Sequence, residues 1–474
     1  MKFKSKKKCM VLHMDMKRFY YSTVVFTGLF LGTNDLVQAQ QVVGVAEAIR
    51  TTLERNVQIK QAALNKDLAE QDLFQAKSNL LPNLSASVDQ SFRYGFGFDL
   101  TSGRIVNNTW TKGTSGSVGS SVNLFQGFQQ INQIKANKLQ LESTATQVDK
   151  IKNDLVLNVL VNYLEAITNH EMMVASEDQI ALSKQQFSLD SIQFAVGNKT
   201  IADLAKSKNQ VATNELNKVN LKNSYEMSLL TLKQLMEMPP ETSISLERPS
   251  LESILVHAVD KNAVDVYQKA LTLQPDIHKS ALDKEVALKQ IDIAKGGYYP
   301  TLNLNVSYGT NYSSATTRQT DPLDPATLFR VPFGQQISDN KSFFTGLSLA
   351  IPIFSRNQNK VNVAKAKIGL KQAEASEQLA KNNLSKAVNQ AVLDVNAAKQ
   401  RYSSATVAFE SAETAFKATK ERYDIGMANS LELFTAQTER NKAEFDLIQA
   451  KYNVIFRSKI IDYYLGNPIQ FDNN

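Results

Sequence analysis

The sequence predicts an α+β membrane protein in which one unit of long coiled-coil helices and a β-hairpin occurs twice. Three observations carry this. The chain repeats itself at a nearly constant shift. One stretch holds a heptad seam sustained over more than five heptads. Four stretches alternate apolar side chains with small or polar ones, as strands of an outer-membrane barrel do.

The repeat is legible residue by residue. Shifted by 218 residues, Ile59, Ala63, Leu64, Ala69, Ala76, Lys77, Pro82 and Leu84 fall on Ile277, Ala281, Leu282, Ala287, Ala294, Lys295, Pro300 and Leu302. Further along the shift becomes 229. Val122, Phe125, Gly197, Asp203, Leu204 and Pro239 then meet Ile351, Phe354, Gly426, Glu432, Leu433 and Pro468. The extra spacing falls in a loop, where insertions are tolerated. The repeats therefore read 40–240 and 263–474, joined by a linker region over 241–262.

From Leu384 the seam runs through Val388, Ala391, Val395, Ala398, Tyr402, Ala405, Phe409, Ala412, Phe416, Thr419 and Tyr423. Its first-repeat counterpart is apolar only at every seventh residue: Val159, Ala166, Met173, Ile180, Phe187 and Phe194. Between them lie Asn162, Asn169, Ser176, Ser183 and Asp190. That composition predicts a looser seam, one that meets a neighbouring chain or a wet lumen. Neither Phe128 to Val196 nor Gln358 to Ile425 contains a proline, so each stretch reaches roughly 100 Å as one helix. Such lengths suit a tube or rod.

Strands are expected near 83–98, 117–125, 301–312 and 342–353. In the third, Leu302, Leu304, Val306, Tyr308 and Tyr312 alternate with Asn303, Asn305, Ser307, Gly309 and Asn311. A soluble sandwich also alternates, but four strands do not build one. Nor do they close a barrel, and open edges are not tolerated in lipid. Closure must come from further copies of the chain. The stretches from Leu100 to Gly116 and from Ser313 to Lys341 read as outer loops, with Trp110 as an interfacial anchor or loop packing.

Residues 1–39 read as a secretory leader: Lys17 and Arg18, an apolar run from Tyr20 to Leu31, then Val37-Gln38-Ala39. Met14 or Met16 would start a leader of more ordinary length. Its seven Lys/Arg and two Asp, taken from 53 basic and 46 acidic residues, leave 46 and 44, so +7 falls to +2. The charge then gives no support to a nucleic-acid partner. Cys9, the single cysteine, also lies in the leader, which leaves no disulfide or thiolate chemistry afterwards. Catalytic motifs are equally scarce. His170, His257 and His278 lack zinc spacing, and His170 with Met172 and Met173 reads as ordinary helix positions. No enzyme, cofactor or metal site is expected.

The whole pattern after the leader resembles the TolC-like outer-membrane efflux family. Leu81-Pro82-Asn83-Leu84 and Tyr299-Pro300-Thr301-Leu302 look like its helix-to-strand junctions. Arg422-Tyr423-Asp424-Ile425-Gly426, followed by Ser430, Glu432 and Leu433, looks like its helix-hairpin tip. The resemblance implies a trimer: a twelve-stranded β-barrel in the outer membrane of a Gram-negative bacterium, continued by a periplasmic α-helical barrel. Glu241 to Asn262 and the carboxyl terminus would join an equatorial layer around it. It further implies the exit duct of a tripartite efflux or type I secretion system. A periplasmic adaptor and an inner-membrane pump of RND, ABC or MFS type would serve it.

By position, Gly197, Asn198, Lys199, Thr200, Gly426, Met427, Ala428, Asn429 and Ser430 would dock the adaptor. Asp203, Tyr423 and Glu432 would form the periplasmic gate, Asp203 and Tyr423 as the two ends of a hydrogen-bonded link and Glu432 as an acidic ring. The plainer role for Asp203 and Glu432 is that of first-turn helix acids. Ala428 and Thr435 depart from the family's arginine and second acid, which implies a more weakly held gate. A different class of function is a trimeric outer-membrane stalk with a structural or adhesive role. Against it, the barrel hairpins interrupt both helical halves.

Overall fold

The computed structural model describes residues 41–248, 262–320, 323 and 328–467. The leader, residues 249–261 of the linker region and the segment 468–474 lie outside the described residues. The first half runs β1 (Gln41–Val43), α1 (Val45–Arg55), α2 (Val57–Ser78), β2 (Ser85–Asp99), β3 (Arg104–Gln126), α3 (Gln129–Ala195), α4 (Ile201–Leu235) and β4 (Ile244–Leu246). The second runs α5 (Ala263–Leu273), α6 (Pro275–Gly296), β5 (Thr301–Ser313), β6 (Thr317–Gln319), β7 (Leu328–Arg330), α7 (Phe333–Asp339), β8 (Ser342–Ala350), α8 (Gln358–Asp424) and α9 (Ser430–Tyr464).

Helix lengths recur between the halves: 22 residues in α2 and α6, 67 in α3 and α8, 35 in α4 and α9. A 67-residue helix rises roughly 100 Å at 1.5 Å per residue. Among the described residues no helix is both long and apolar enough to cross a membrane. The strands expose a dense set of large apolar side chains, Val88, Phe92, Leu347 and Leu349 among them.

Four strands form one antiparallel sheet in the order β2-β3-β5-β8, so β2 and β8 are its open edges. Leu304 lies between Val122 and Leu347, and Asn305 between Ser121 and Gly346. One face is thus apolar and the other small and polar. β3 begins at Arg104, well before the expected 117, and the stretch from Leu100 to Gly116 is mostly strand. Thr109 to Gly116 read as loop, yet they pair residue by residue with Val88 to Gly95, while Asn107 and Asn108 fall at the register shift before them. The turn itself is only Leu100 to Gly103, with Gly103 at φ 66°. Trp110 is therefore a strand residue, packed at a tilt against its partner Tyr94 with 5.3 Å between ring centroids. β8 ends at Ala350 rather than 353, where Pro352 removes a ladder donor.

The second outer segment is also ordered where described. β6 pairs with β7, and α7 folds back on β5. The Gln336 amide closes this segment: it accepts from Ser313 N at 3.0 Å and donates to Ser313 O and Val331 O at 3.0 and 2.8 Å.

Where strand returns to helix, the two halves of the chain meet backbone to backbone. Gly127 takes φ 57°, and a Cβ there would stand 2.2 Å from Gly296 O. Left-handed backbone alone costs an L-residue about 1–2 kcal/mol. Gly127→Ala is therefore expected to destabilise the protein by at least about that much, read as a lowered melting temperature in detergent.

Packing follows the heptads in the second half. Leu384, Val388, Ala391, Val395, Ala398, Phe416 and Tyr423 of α8 are buried, and the seam residues between them are half-buried. In α3 the expectation needs correction. Ser176, Ser183 and Asp190 are 1%, 2% and 0% exposed, enclosed within the chain itself rather than facing a neighbour or a lumen. The buried face there includes Gln179 and Gln186, while Phe187 is half-buried and Phe194 exposed. Short serines let helices approach, and their hydroxyls are satisfied locally, Ser183 donating to Ile180 O at 3.0 Å. Asn214 of α4 then donates to Gln179 O and Ser183 Oγ, both at 3.2 Å.

The largest apolar cluster sits midway along the helices, where Val159, Leu160, Leu164, Ile167, Leu232, Met236 and Ile455 surround Tyr163. The Tyr163 hydroxyl donates to Val43 O and Glu247 O at 3.0 and 2.8 Å, anchoring the small parallel β1–β4 pair. This is the described part of the region expected to form an equatorial layer.

Candidate functional site at the hairpin tips

Both helix hairpins reverse by the same local chemistry. At the end of α3, Gly197 N donates to Phe194 O at 3.0 Å and Asn198 N to Gln193 O at 2.8 Å. At the end of α8, Gly426 N donates to Tyr423 O at 2.9 Å and Met427 N to Arg422 O at 2.7 Å. This pair of bonds is the Schellman motif, which needs a left-handed residue at its turn. Gly197 and Gly426 supply it at φ 83° and 81°.

The following helices begin on matched caps. Thr200 Oγ1 accepts from Asp203 N at 3.2 Å, and Thr200 N donates to Asp203 Oδ2 at 3.2 Å, a reciprocal capping box. Asn429 Oδ1 accepts from Glu432 N at 3.0 Å and its amide donates to Glu432 Oε1 at 2.9 Å. Asp203 and Glu432 thus both act as first-turn helix acids.

Each also reaches further. Ser430 Oγ donates to the other Asp203 oxygen, so the cap of one hairpin is tied to the start of the other. Glu432 lies 3.4 Å from the Arg422 guanidinium across its own tip. The Ser430 hydroxyl first, then the Thr200 side chain, hold the Asp203 carboxyl below its ordinary value. A lowered carboxyl contributes stability above its unfolded value of 3.8 and loses it as pH falls through the folded one. Between about pH 5 and about pH 3, the wild type is expected to lose more thermal stability than Asp203→Asn. Acid titration of the melting temperature measures the difference.

Tyr423 does not bond Asp203 within the chain. Its hydroxyl donates to Asp190 Oδ1 at 2.8 Å, and Lys199 Nζ donates to the same hydroxyl. The Lys199 ammonium stands 3.7 Å from the Tyr423 ring centroid and 3.7 Å from Asp190 Oδ1. Gln186 donates to Asp190 Oδ1 at 3.0 Å. The remaining oxygen, Asp190 Oδ2, is buried without a hydrogen-bond partner. Burial first, then the bond to Asp190, push the Tyr423 phenol up, so it stays protonated and donates.

The tip interior is therefore a latch between hairpins: Asp190 and Lys199 from one, Tyr423 from the other, with Phe416, Leu433 and Ala428 packed beside it. Ala428 fills this small core, and Thr435 spends its hydroxyl on Leu431 O at 2.8 Å. Sequence reasoning assigned Asp190 to a seam and missed it as Tyr423's partner. Of the apolar collar of the tips it named Met427 and passed over the rest, although Val196, Ile201, Ile425, Met427 and Leu431 are all more than 60% exposed. Large apolar residues flanking both tip glycines were the available signal.

Elsewhere, His170 packs edge-on against Tyr225 at 5.0 Å, with an Arg248 nitrogen 3.5 Å from its Nδ1. Among the described residues no cluster of three His, Cys, Asp or Glu side chains is placed to hold a metal.

Comparison with known proteins agrees with this architecture. TolC of Escherichia coli strain K12 is 23% identical over 458 residues, covering 93% of this chain and 85% of TolC. Toxin and drug export protein A of Aggregatibacter actinomycetemcomitans is 20% identical, covering 86% and 82%. Among solved structures, CusC, described as forming a transmembrane channel, shares the fold with TM-score 0.74 at 16% identity, covering 90% of this chain and 94% of CusC. VceC, an outer membrane protein of Vibrio cholerae, gives 0.72 at 15%, covering 89% and 96%. The family model described as outer membrane efflux protein matches residues 48–236 and 266–467. The chain belongs to the outer membrane efflux protein family.

Proposed function

We propose that this protein is the passive exit duct of a tripartite efflux or type I secretion system, trimeric in the outer membrane of a Gram-negative bacterium. One observation carries the reading: a four-stranded sheet with one apolar face and two open edges, continued by helices of 67 residues. Lipid tolerates no open edge, so β8 of each copy pairs with β2 of the next, and three copies close twelve strands. The serine-rich face then lines the lumen, and the helices carry the passage across the periplasm.

In this reading the apolar collar and the exposed tip residues Gly197, Asn198, Thr200, Gly426, Met427 and Asn429 meet the periplasmic adaptor. Lys199, Ala428 and Ser430 reach inward from the same tips. An inner-membrane pump of RND, ABC or MFS type delivers the solute. Asp203, Tyr423 and Glu432, with Asp190 and Lys199, hold the periplasmic end closed. Native mass spectrometry of the detergent-solubilised protein is expected to give a trimer whose chains start near Gln40, and planar bilayers to show ion-conducting channels. A stable monomer, or a trimer that seals the bilayer as a stalk would, overturns the reading.

A further inference from the structure

Phe344 places a large apolar ring on the polar face of the sheet. Residues directly opposed in antiparallel strands share a face. The register therefore places Ser85, Gly119, Ser307 and Phe344 in a single row across β2, β3, β5 and β8. In the adjacent row the Ser87 and Ser117 hydroxyls meet at 3.0 Å, which marks this as the serine-rich face. The three residues that share this row with Phe344 within the chain are serine or glycine, none tall enough to cover its ring.

The next residue on the same face of β8 is also missing a side chain. A Cβ at Gly346 would lie 2.7 Å from Phe344 Cζ, so the ring reaches over that glycine. It nevertheless stays 59% exposed. Within the chain the ring is laid on a wall of small residues and its outer surface is open. Phe343, beside it in sequence, faces the apolar side with Tyr308.

We propose that Phe344 is a solute-contacting, specificity-determining residue of the lumen, a flat aromatic surface for planar aromatic cations in transit. The inference rests on the duct reading, in which this face lines the lumen and three copies repeat the ring at one level. The chemistry is that of an aromatic face, whose negative quadrupole attracts cations and whose plane accepts a stacked ring.

The test uses the full-length trimer in planar bilayers, with ethidium added on the side of the outer loops. Wild-type channels are expected to show transient ethidium block. Phe344→Ser should weaken it by roughly two- to fivefold, the range for a cation on an exposed ring. Phe344→Tyr should retain it, and block by hexaamminecobalt(III), which has no ring, should be the same in all variants. Phe344→Leu keeps bulk and apolarity without a ring, so its block should weaken even if serine impairs assembly. Wild-type block in Phe344→Leu overturns the proposal while leaving the duct intact. A wild-type trimer that conducts nothing overturns the duct reading, and this inference with it.

Discussion

Arginine at Leu304 or Val306 is expected to abolish barrel assembly, whereas arginine at Asn305 is expected to be tolerated. Leu304 stands in the middle of the sheet between Val122 and Leu347, and Val306 between Ser120 and Thr345. Both lie on the apolar face, the one that meets lipid in the proposed trimer. A charge there costs about 2–4 kcal/mol at the bilayer midplane, and symmetry repeats it in every copy. Asn305, one residue away, projects to the opposite face between Ser121 and Gly346, where water solvates an arginine. Heat-modifiable trimer on gels and surface exposure of the outer loops measure the outcome. Equal damage at Leu304 and Asn305 would show that the two faces have been assigned the wrong way round.

Opening the latch is the second large effect. Tyr423→Phe removes the 2.8 Å hydrogen bond to Asp190 and the one from Lys199, while keeping the ring over which the ammonium sits. A hydrogen bond to a charged group contributes about 1.5–3 kcal/mol. Losing it should shift a closed–open equilibrium by roughly ten- to a hundredfold, seen as higher open probability in single-channel records. Asp190→Ala is expected to act in the same direction. Asp190→Asn keeps an acceptor for the phenol and should fall between it and the wild type. Trimer content should not change, since the latch lies wholly within one chain. If Tyr423→Phe and Asp190→Ala gate like the wild type, the cluster is packing alone.

Much of the fold is legible in residue order because it depends on local periodicity. The α8 seam from Leu384 to Tyr423 identified its own helix, since heptad spacing places those side chains on one stripe whatever the partner. Gly197 and Gly426 announced the reversals, because a left-handed turn residue is required there. Boundaries were harder where composition and pairing disagree. Thr109 to Gly116 reads as loop by residue type and is strand because Val88 to Gly95 offers it a complete ladder.

Periodicity, turn chemistry and capping act over a few residues, so the chain alone settles where the long helices run and reverse, that four strands alternate, and that a cap with Asp203 in the first turn starts a helix. Side-chain partners separated by more than two hundred residues are a different matter. Asp190 looks like a polar interruption of a seam until α8 brings Tyr423 against it, and Ser430 looks like a first-turn serine until it meets Asp203. Phe344 is one of two adjacent phenylalanines until the β5 register decides which faces the serines. Those outcomes depend on the relative placement of whole hairpins and strands, which only long-range packing sets.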